Sequence, residues 1–167
     1  MEYKRINNSY EFNDIAILAI KVVKENTSVR EELKNYFKEI MIDEYQDTND
    51  LQEEFISMIS DHNVYMVGDI KQSIYRFRNA NPYIFKNKYD SYSTSSIDKK
   101  IDLNKNFRSR SEVLDNINTI FTLIMNDDIG GADYLTSHQM IFGNKAYLKE
   151  DAKHSNDMEI YQYYYDK

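Results

Sequence analysis

Two short apolar runs, each ending on an acidic residue and each preceded by a helix-patterned stretch, constrain this chain more than any other feature. The first is Ile40-Met41-Ile42, followed by Asp43; the second is Val64-Tyr65-Met66-Val67, followed by Gly68 and Asp69. Apolar runs of this length without alternation read as strands buried on both faces of a parallel sheet. Helical stripes precede them. Ile15, Leu18, Ala19 and Val22 share one face behind a cap at Asn13 or Asp14. Val29, Leu33, Tyr36 and Phe37 follow a capping box of Ser28 and Glu31, and Leu51, Phe55, Met58 and Ile59 follow one of Asn49 and Gln52. Strands alternating with helices predict an α/β fold with a largely parallel sheet flanked by helices. Further on, Asn81-Pro82 starts a helix, and residues 91–96 form a polar loop. Ile101 and Leu103 lie in a short strand, and Ser109 with Glu112 caps a helix lined by Val113, Ile117, Ile120, Phe121 and Ile124. Asn126 to Gly131 is a break, and Met158 to Tyr165 has the composition of a strand.

Composition narrows the class. With no cysteine there is no disulfide framework and no Cys-ligated zinc, and three scattered His do not make a metal site. No apolar run approaches the roughly 20 residues of a membrane span, and the polar N-terminus is not a signal peptide. A soluble, cytoplasmic setting is the expectation. The net charge of −7 argues against a dedicated nucleic-acid binder, but it is unevenly placed. Ile70 to Arg110 holds ten Lys/Arg against three Asp, a local +7. Such a stretch is either a localised anion site or a solvated basic surface.

Ligands of open α/β sheets bind beyond the carboxyl ends of the strands, so the residues there are the candidates for chemistry. Asp43 suits a Mg²⁺-holding carboxylate and Glu44 a proton acceptor for an attacking water. The alternative is that Asp43 and Asp47 are only turn and cap residues. After the second strand, Gly68 allows close approach of a ligand to the backbone, and Gln72 suits positioning a water or sensing a phosphate oxygen. Tyr75 and Phe77 are flat faces among cations, and stacking of bases on aromatics contributes about 1–3 kcal/mol per base. The alternative is that both are ordinary core aromatics. Arg108 stands just before a helix, where a planar guanidinium can reach a phosphate. The alternative is a capping turn with two solvated arginines.

Taken together the strings are more specific. Asp43-Glu44-Tyr45-Gln46-Asp47-Thr48-Asn49, then Val67-Gly68-Asp69-Ile70-Lys71-Gln72-Ser73-Ile74-Tyr75-Arg76-Phe77-Arg78, then Asn106-Phe107-Arg108-Ser109 occur in that order. They resemble motifs II, III and IV of the UvrD/Rep-type superfamily 1 DNA helicases. Lys71 and Phe77 stand where most of these helicases carry an acidic residue and Trp. There the chain resembles the AddA (RexA) type of subunit, from the bacterial helicase–nuclease that resects double-strand breaks. The stretch from Gly131 to Gly143 is similar to the same type, less specifically. The resemblance spans about Tyr10 to Phe142 and is tightest from Ile40 to Phe121.

That resemblance implies a partial RecA-like (P-loop NTPase) domain over residues 1–100. It places the start of a second RecA-like domain, with an irregular tail, over 101–167. It implies ATP and Mg²⁺ as cofactors, with Asp43 on the metal, Glu44 as catalytic base and Gln46 near the phosphates. Gln72 would contact the γ-phosphate and couple ATP to DNA, and Arg108 would be the finger on that phosphate. Tyr75, Phe77 and Arg78 would touch single-stranded DNA. The implied partners are DNA, as single strands and duplex ends, and a second subunit of the AddB/RexB type. The sequence departs from the family in one decisive way: Gly-x-x-x-x-Gly-Lys-Ser/Thr occurs nowhere in it, and the later motifs and a nuclease module are missing too. The chain reads as a central excerpt that alone neither binds ATP tightly nor hydrolyses it. Sheet edges left open would favour self-association. Two other readings stay open: a non-catalytic interaction or single-strand-binding module, and an unrelated acidic α/β domain with accidental motif strings.

Overall fold

The computed structural model describes residues 2–149 and 158–165, and the chain divides into two compact units, Met1–Lys100 and Ile101–Lys167. The first unit runs α1 (Glu2–Ile6), α2 (Phe12–Glu25), α3 (Thr27–Tyr36), β1 (Ile40–Ile42), α4 (Asp50–Ile59), β2 (Val64–Met66) and α5 (Pro82–Tyr92). Single 3-10 turns occur at Tyr45–Asp47, Ile70–Gln72 and Arg76–Arg78. β1 and β2 pair in parallel, Ile40 beside Val64, Met41 beside Tyr65 and Ile42 beside Met66. A parallel pair needs a crossover, and α4 supplies it, packing on α2 and α3. The two acidic strand ends therefore emerge side by side.

Local chemistry fixes the helix starts around the site. Asn49 Oδ1 accepts the Gln52 N–H at 3.0 Å, and Gln52 Oε1 accepts the Asn49 N–H at 3.0 Å, the capping box expected there. Asn81 caps α5 by accepting the Tyr83 N–H, with Pro82 at the first helical position. The Asn81 side-chain amide donates to Asp50 Oδ1 at 2.8 Å and its backbone N–H to the Thr48 carbonyl at 2.9 Å. These bonds fasten the start of α5 to the start of α4. Lys24 pairs with Glu54 at 3.0 Å and ties α2 to α4.

Several expectations are corrected. The strands are not buried on both faces: Met41 is 71% exposed and its cross-strand neighbour Tyr65 is 59% exposed. Ile40, Ile42, Val64 and Met66 point to the opposite, more covered face. In α2 the cap is Glu11, not Asn13 or Asp14. The Glu11 N–H donates to Asp14 Oδ2 at 2.9 Å, and buried Asp14 also pairs with Lys4 at 2.7 Å. Its buried positions are Ile20 and Val23, whereas Ile15, Leu18, Ala19 and Val22 are exposed. The packed side is the one that meets α3 and α4. α3 begins after Asn26, so Ser28 and Glu31 form no box at its entry, and Tyr36 lies exposed, edge-on to Phe37.

The second unit contains β3 (Lys105–Asn106), α6 (Ser111–Ile124) and β4 (Ile141–Phe142), with β3 and β4 parallel. The strand lies past Ile101 and Leu103, both exposed and outside any ladder. α6 is capped by Arg110 rather than Ser109. Asn106 Oδ1 accepts the N–H groups of Arg108 at 2.9 Å and Ser109 at 2.8 Å, and this Asx turn ends the strand before the helix can start. Leu114 is the buried residue of α6; Phe121 and Ile124 are exposed. Asn118 accepts from the buried Tyr134 hydroxyl at 2.8 Å and the Met140 N–H at 3.1 Å, and donates to the Met140 carbonyl at 2.9 Å. It thus pins the entry of β4 to α6. Residues 158–165 form no strand; Ile160, Tyr161, Tyr163, Tyr164 and Tyr165 are exposed. Among the described residues no helix is long and apolar enough to cross a membrane.

Candidate functional site

The hydrogen bonding of the sheet continues past the strands. The Val67 N–H donates to the Ile42 carbonyl at 2.9 Å, and the Tyr45 N–H returns to the Val67 carbonyl at 2.8 Å. Asp43 is exposed, and its Oδ1 accepts the Glu44 N–H at 2.9 Å. Glu44 then takes φ 48° and ψ 43°. For a residue with a Cβ this left-handed conformation costs about 1–2 kcal/mol, and it reverses the chain directly after the strand.

Gln46 holds this corner together. It is 1% exposed. Its Nε2 donates to Glu44 Oε2 at 2.7 Å, and its Oε1 accepts the Asp69 N–H at 3.0 Å. Its backbone carbonyl accepts from the Ser73 hydroxyl at 3.3 Å. Gly68 is needed for this arrangement, because a Cβ there would lie 2.7 Å from Gln46 Oε1 and 2.8 Å from Phe85 Cε2. Asp69 in turn accepts from the Lys71 N–H at 3.1 Å and from Gln72 Nε2 at 3.1 Å, and pairs with Lys71 Nζ at 2.8 Å. Burial pushes the Asp69 carboxyl up, but the Lys71 and Gln72 bonds outweigh it and hold the group below the usual carboxylate range. Asp47 ends above the usual carboxylate range, because burial pushes it up and the nearby Glu44 charge adds to that push. Beneath, buried Tyr45 donates its hydroxyl to Glu53, and Lys88 pairs with Glu53 at 2.8 Å. Burial, then the Glu53 carboxylate, push the Tyr45 phenol up.

The next turn presents a platform. Tyr75 is 37% and Phe77 77% exposed, so neither is a core aromatic. Their ring centroids lie 5.9 Å apart at 53°. The Arg78 guanidinium sits 5.0 Å from the Tyr75 centroid and 5.6 Å from that of Phe77, within cation–π range of both. Asn79, at φ 64°, closes the turn.

Of the residues singled out in the sequence, Asp43, Glu44, Gln46 and Gln72 come together at the two strand ends, and Tyr75, Phe77 and Arg78 follow on the adjoining turn. Gln72 is exposed apart from its bond to Asp69. Arg108 belongs to the second unit, where its side chain is exposed and its carbonyl accepts from the Tyr147 hydroxyl at 3.4 Å. Sequence reasoning placed Asp69 at the second strand end without giving it a role, and missed Lys71 and Ser73 as members of the corner and Glu53 with Lys88 as its support. The acid and base flanking Ile70 were a visible signal; the partnership of Tyr45 with residues 8 and 43 positions away was not. Among the described residues no group of three or more His, Cys, Asp or Glu is placed to hold a metal.

The arrangement defines a class: an α/β protein with a cluster of polar groups gathered at the carboxyl ends of adjacent parallel strands. Comparison with known proteins is specific. The profile of the UvrD/REP helicase N-terminal domain matches residues 1–93, and the chain belongs to that family. It is 44% identical over 159 residues to the A-type subunit of an ATP-dependent helicase/nuclease from Streptococcus agalactiae serotype Ia, covering 94% of this chain and 13% of that protein. It is 47% identical over 141 residues to the protein of the same name from Streptococcus pyogenes serotype M18, covering 83% of this chain and 12% of that protein. The chain thus spans about an eighth of the length of the curated relatives it matches.

Proposed function

We propose that this chain carries the nucleotide-facing and strand-facing corner of an ATP-dependent DNA helicase motor, of the AddA type found in helicase/nucleases. In this reading the first unit is part of one RecA-like domain and the second begins another. One observation carries the proposal: the buried Gln46 amide bridges Glu44 at one strand end and Asp69 at the next, and Asp69 in turn holds Gln72.

The residues fit one side of a Mg²⁺–ATP complex. Mg²⁺ keeps several waters and needs only one or two protein carboxylates, and exposed Asp43 meets that need. The other side is not met, because the sequence holds no phosphate-cradling glycine loop. Bound Mg²⁺–ATP supplies a polarised γ-phosphoryl group for attack by water. Asp43 would hold the ion, and Glu44 would accept the proton of the attacking water at its carboxylate. Gln72 would exchange its bond to Asp69 for one to a γ-phosphate oxygen, and Arg108 would stabilise charge on that phosphate. Tyr75, Phe77 and Arg78 would hold single-stranded DNA by stacking. The longer protein would act at duplex ends in the cytoplasm, in double-strand break repair, with a second subunit of the AddB/RexB type. This chain alone would not turn ATP over, and its open sheet edges would favour self-association.

A second reading, a single-strand-binding module without catalysis, is favoured by the platform, which needs no phosphate loop. Titration of the chain into labelled oligo(dT), followed by anisotropy, tests the feature both readings share. Tyr75→Ala with Phe77→Ala is expected to weaken binding at least about thirtyfold, since each of the two lost stacks contributes about 1–3 kcal/mol. Unchanged affinity would refute the strand-facing assignment. An ATPase assay on the same sample tests the nucleotide side: steady turnover that survives Arg108→Ala would overturn both the expected inactivity and the finger.

A further inference from the structure

The corner contains more wiring than catalysis at Glu44 requires. Gln46 is almost wholly buried, yet its amide faces two ways, to Glu44 Oε2 at 2.7 Å and to the Asp69 N–H at 3.0 Å. Its carbonyl receives the Ser73 hydroxyl at 3.3 Å, two residues before Tyr75. Asp69 then holds the Gln72 side chain at 3.1 Å. One residue therefore touches the strand end bearing the carboxylate pair, the turn bearing Gln72 and the approach to the platform. A primary amide in a site closed to water has little freedom to swap its two ends. If it turned over, its NH₂ would face the Asp69 N–H and its oxygen would face a carboxylate.

We propose that Gln46 is a positioning residue that ties the Glu44 carboxylate to the Gln72 turn and to the Tyr75–Phe77–Arg78 platform. Replacement of the Glu44 side chain is then felt at Asp69 and Gln72 through the Gln46 amide. The inference rests on the functional reading above for its purpose, but its geometry stands without nucleotide or DNA. The bond from Gln46 Nε2 to a charged Glu44 is the stronger of the two. Neutralising Glu44 loosens it, and the amide shifts toward Asp69.

The test uses the whole chain labelled with ¹⁵N and ¹³C, free of ligands. In the native background, Glu44→Gln is expected to shift the backbone amide of Asp69 and the side-chain NH₂ of Gln72. With Gln46→Met, which keeps length and volume, the same Glu44→Gln change is expected to leave both resonances in place. A purely structural Gln46 would shift resonances on its own replacement but would not abolish the response to a second site. Exchange of the Asp69 amide should also quicken roughly three- to tenfold in Gln46→Met. A response at Gln72 that persists in the Gln46→Met background overturns the proposal. If Gln46→Met does not fold, the unsubstituted chain decides: a scalar coupling across the hydrogen bond between Asp69 ¹⁵N and Gln46 ¹³Cδ is expected, and its absence overturns the proposal. Neither measurement involves DNA, so failure of the oligonucleotide titration leaves their outcome readable on its own.

Discussion

Gly68→Ala probes the closest contact in the site. The new Cβ would meet Gln46 Oε1 at 2.7 Å, Phe85 Cε2 at 2.8 Å and the Gln46 backbone nitrogen at 3.2 Å. The Gln46 side chain cannot retreat without surrendering its bond to Asp69 or to Glu44, and its backbone is fixed by the 3-10 turn. Overpacking of this kind costs about 1–3 kcal/mol, and one lost buried hydrogen bond adds about 1 kcal/mol. The stiffer unfolded chain returns about 0.5–1 kcal/mol. The net is a loss of about 2 kcal/mol, which moves a urea midpoint down by roughly 1–2 M at an m-value of about 1–2 kcal/mol per M. Gly143→Ala is the internal comparison. Its Cβ would also come within 2.8 Å of a side chain, but that side chain is Phe107, which is 61% exposed and can swing into solvent. Its cost should stay under about 0.5 kcal/mol. Urea unfolding followed by circular dichroism, with amide exchange resolving the two units, measures both. Equal costs at the two positions, or a Gly68→Ala cost below about 0.5 kcal/mol, would refute the reasoning that buried Gln46 is immovable.

Tyr45→Phe removes the hydroxyl bonded to Glu53 while leaving the Glu53–Lys88 pair, and should cost about 1.5–3 kcal/mol, the range for a hydrogen bond to a charged group; an unchanged thermal midpoint would show the phenol is not bonded in solution. For Asp69 the folded carboxyl lies below the unfolded value of about 3.9, so its stabilisation is present above that pH and is lost as pH falls through the lower folded value. The stability advantage of the unsubstituted chain over Asp69→Asn should therefore shrink on acidification below about pH 4; parallel stability curves would contradict the shift.

The legible parts of the fold were those fixed by local chemistry. The Asn49–Gln52 box and the Asn81-Pro82 start need only neighbouring residues, and both formed. Parallel pairing of the two apolar runs followed from the helix between them. What failed depended on distant partners. The α2 helix formed, but its expected stripe did not pack: Ile15, Leu18, Ala19 and Val22 are exposed, and Ile20 and Val23 are covered instead because α2 packs on α3 and α4, which periodicity cannot tell. Met41 and Tyr65 read as buried because apolar runs usually have both faces covered. The Ser109–Glu112 box lost to Asn106, which captured the Ser109 N–H first. Within the site, the types Asp, Glu and Gln after a strand pointed to phosphate chemistry, but the inward turn of Gln46 was invisible. Nothing in the string Asp43-Glu44-Tyr45-Gln46 distinguishes a side chain facing solvent from one bridging two turns.

The left-handed backbone at Glu44 sets two kinds of selection against each other. Glycine at this position would relax the peptide, and asparagine would tolerate it better than glutamate does. A randomised library sorted only for soluble expression should drift toward those residues at position 44. A library sorted for the chemistry of a longer, competent protein should return glutamate despite its conformational penalty.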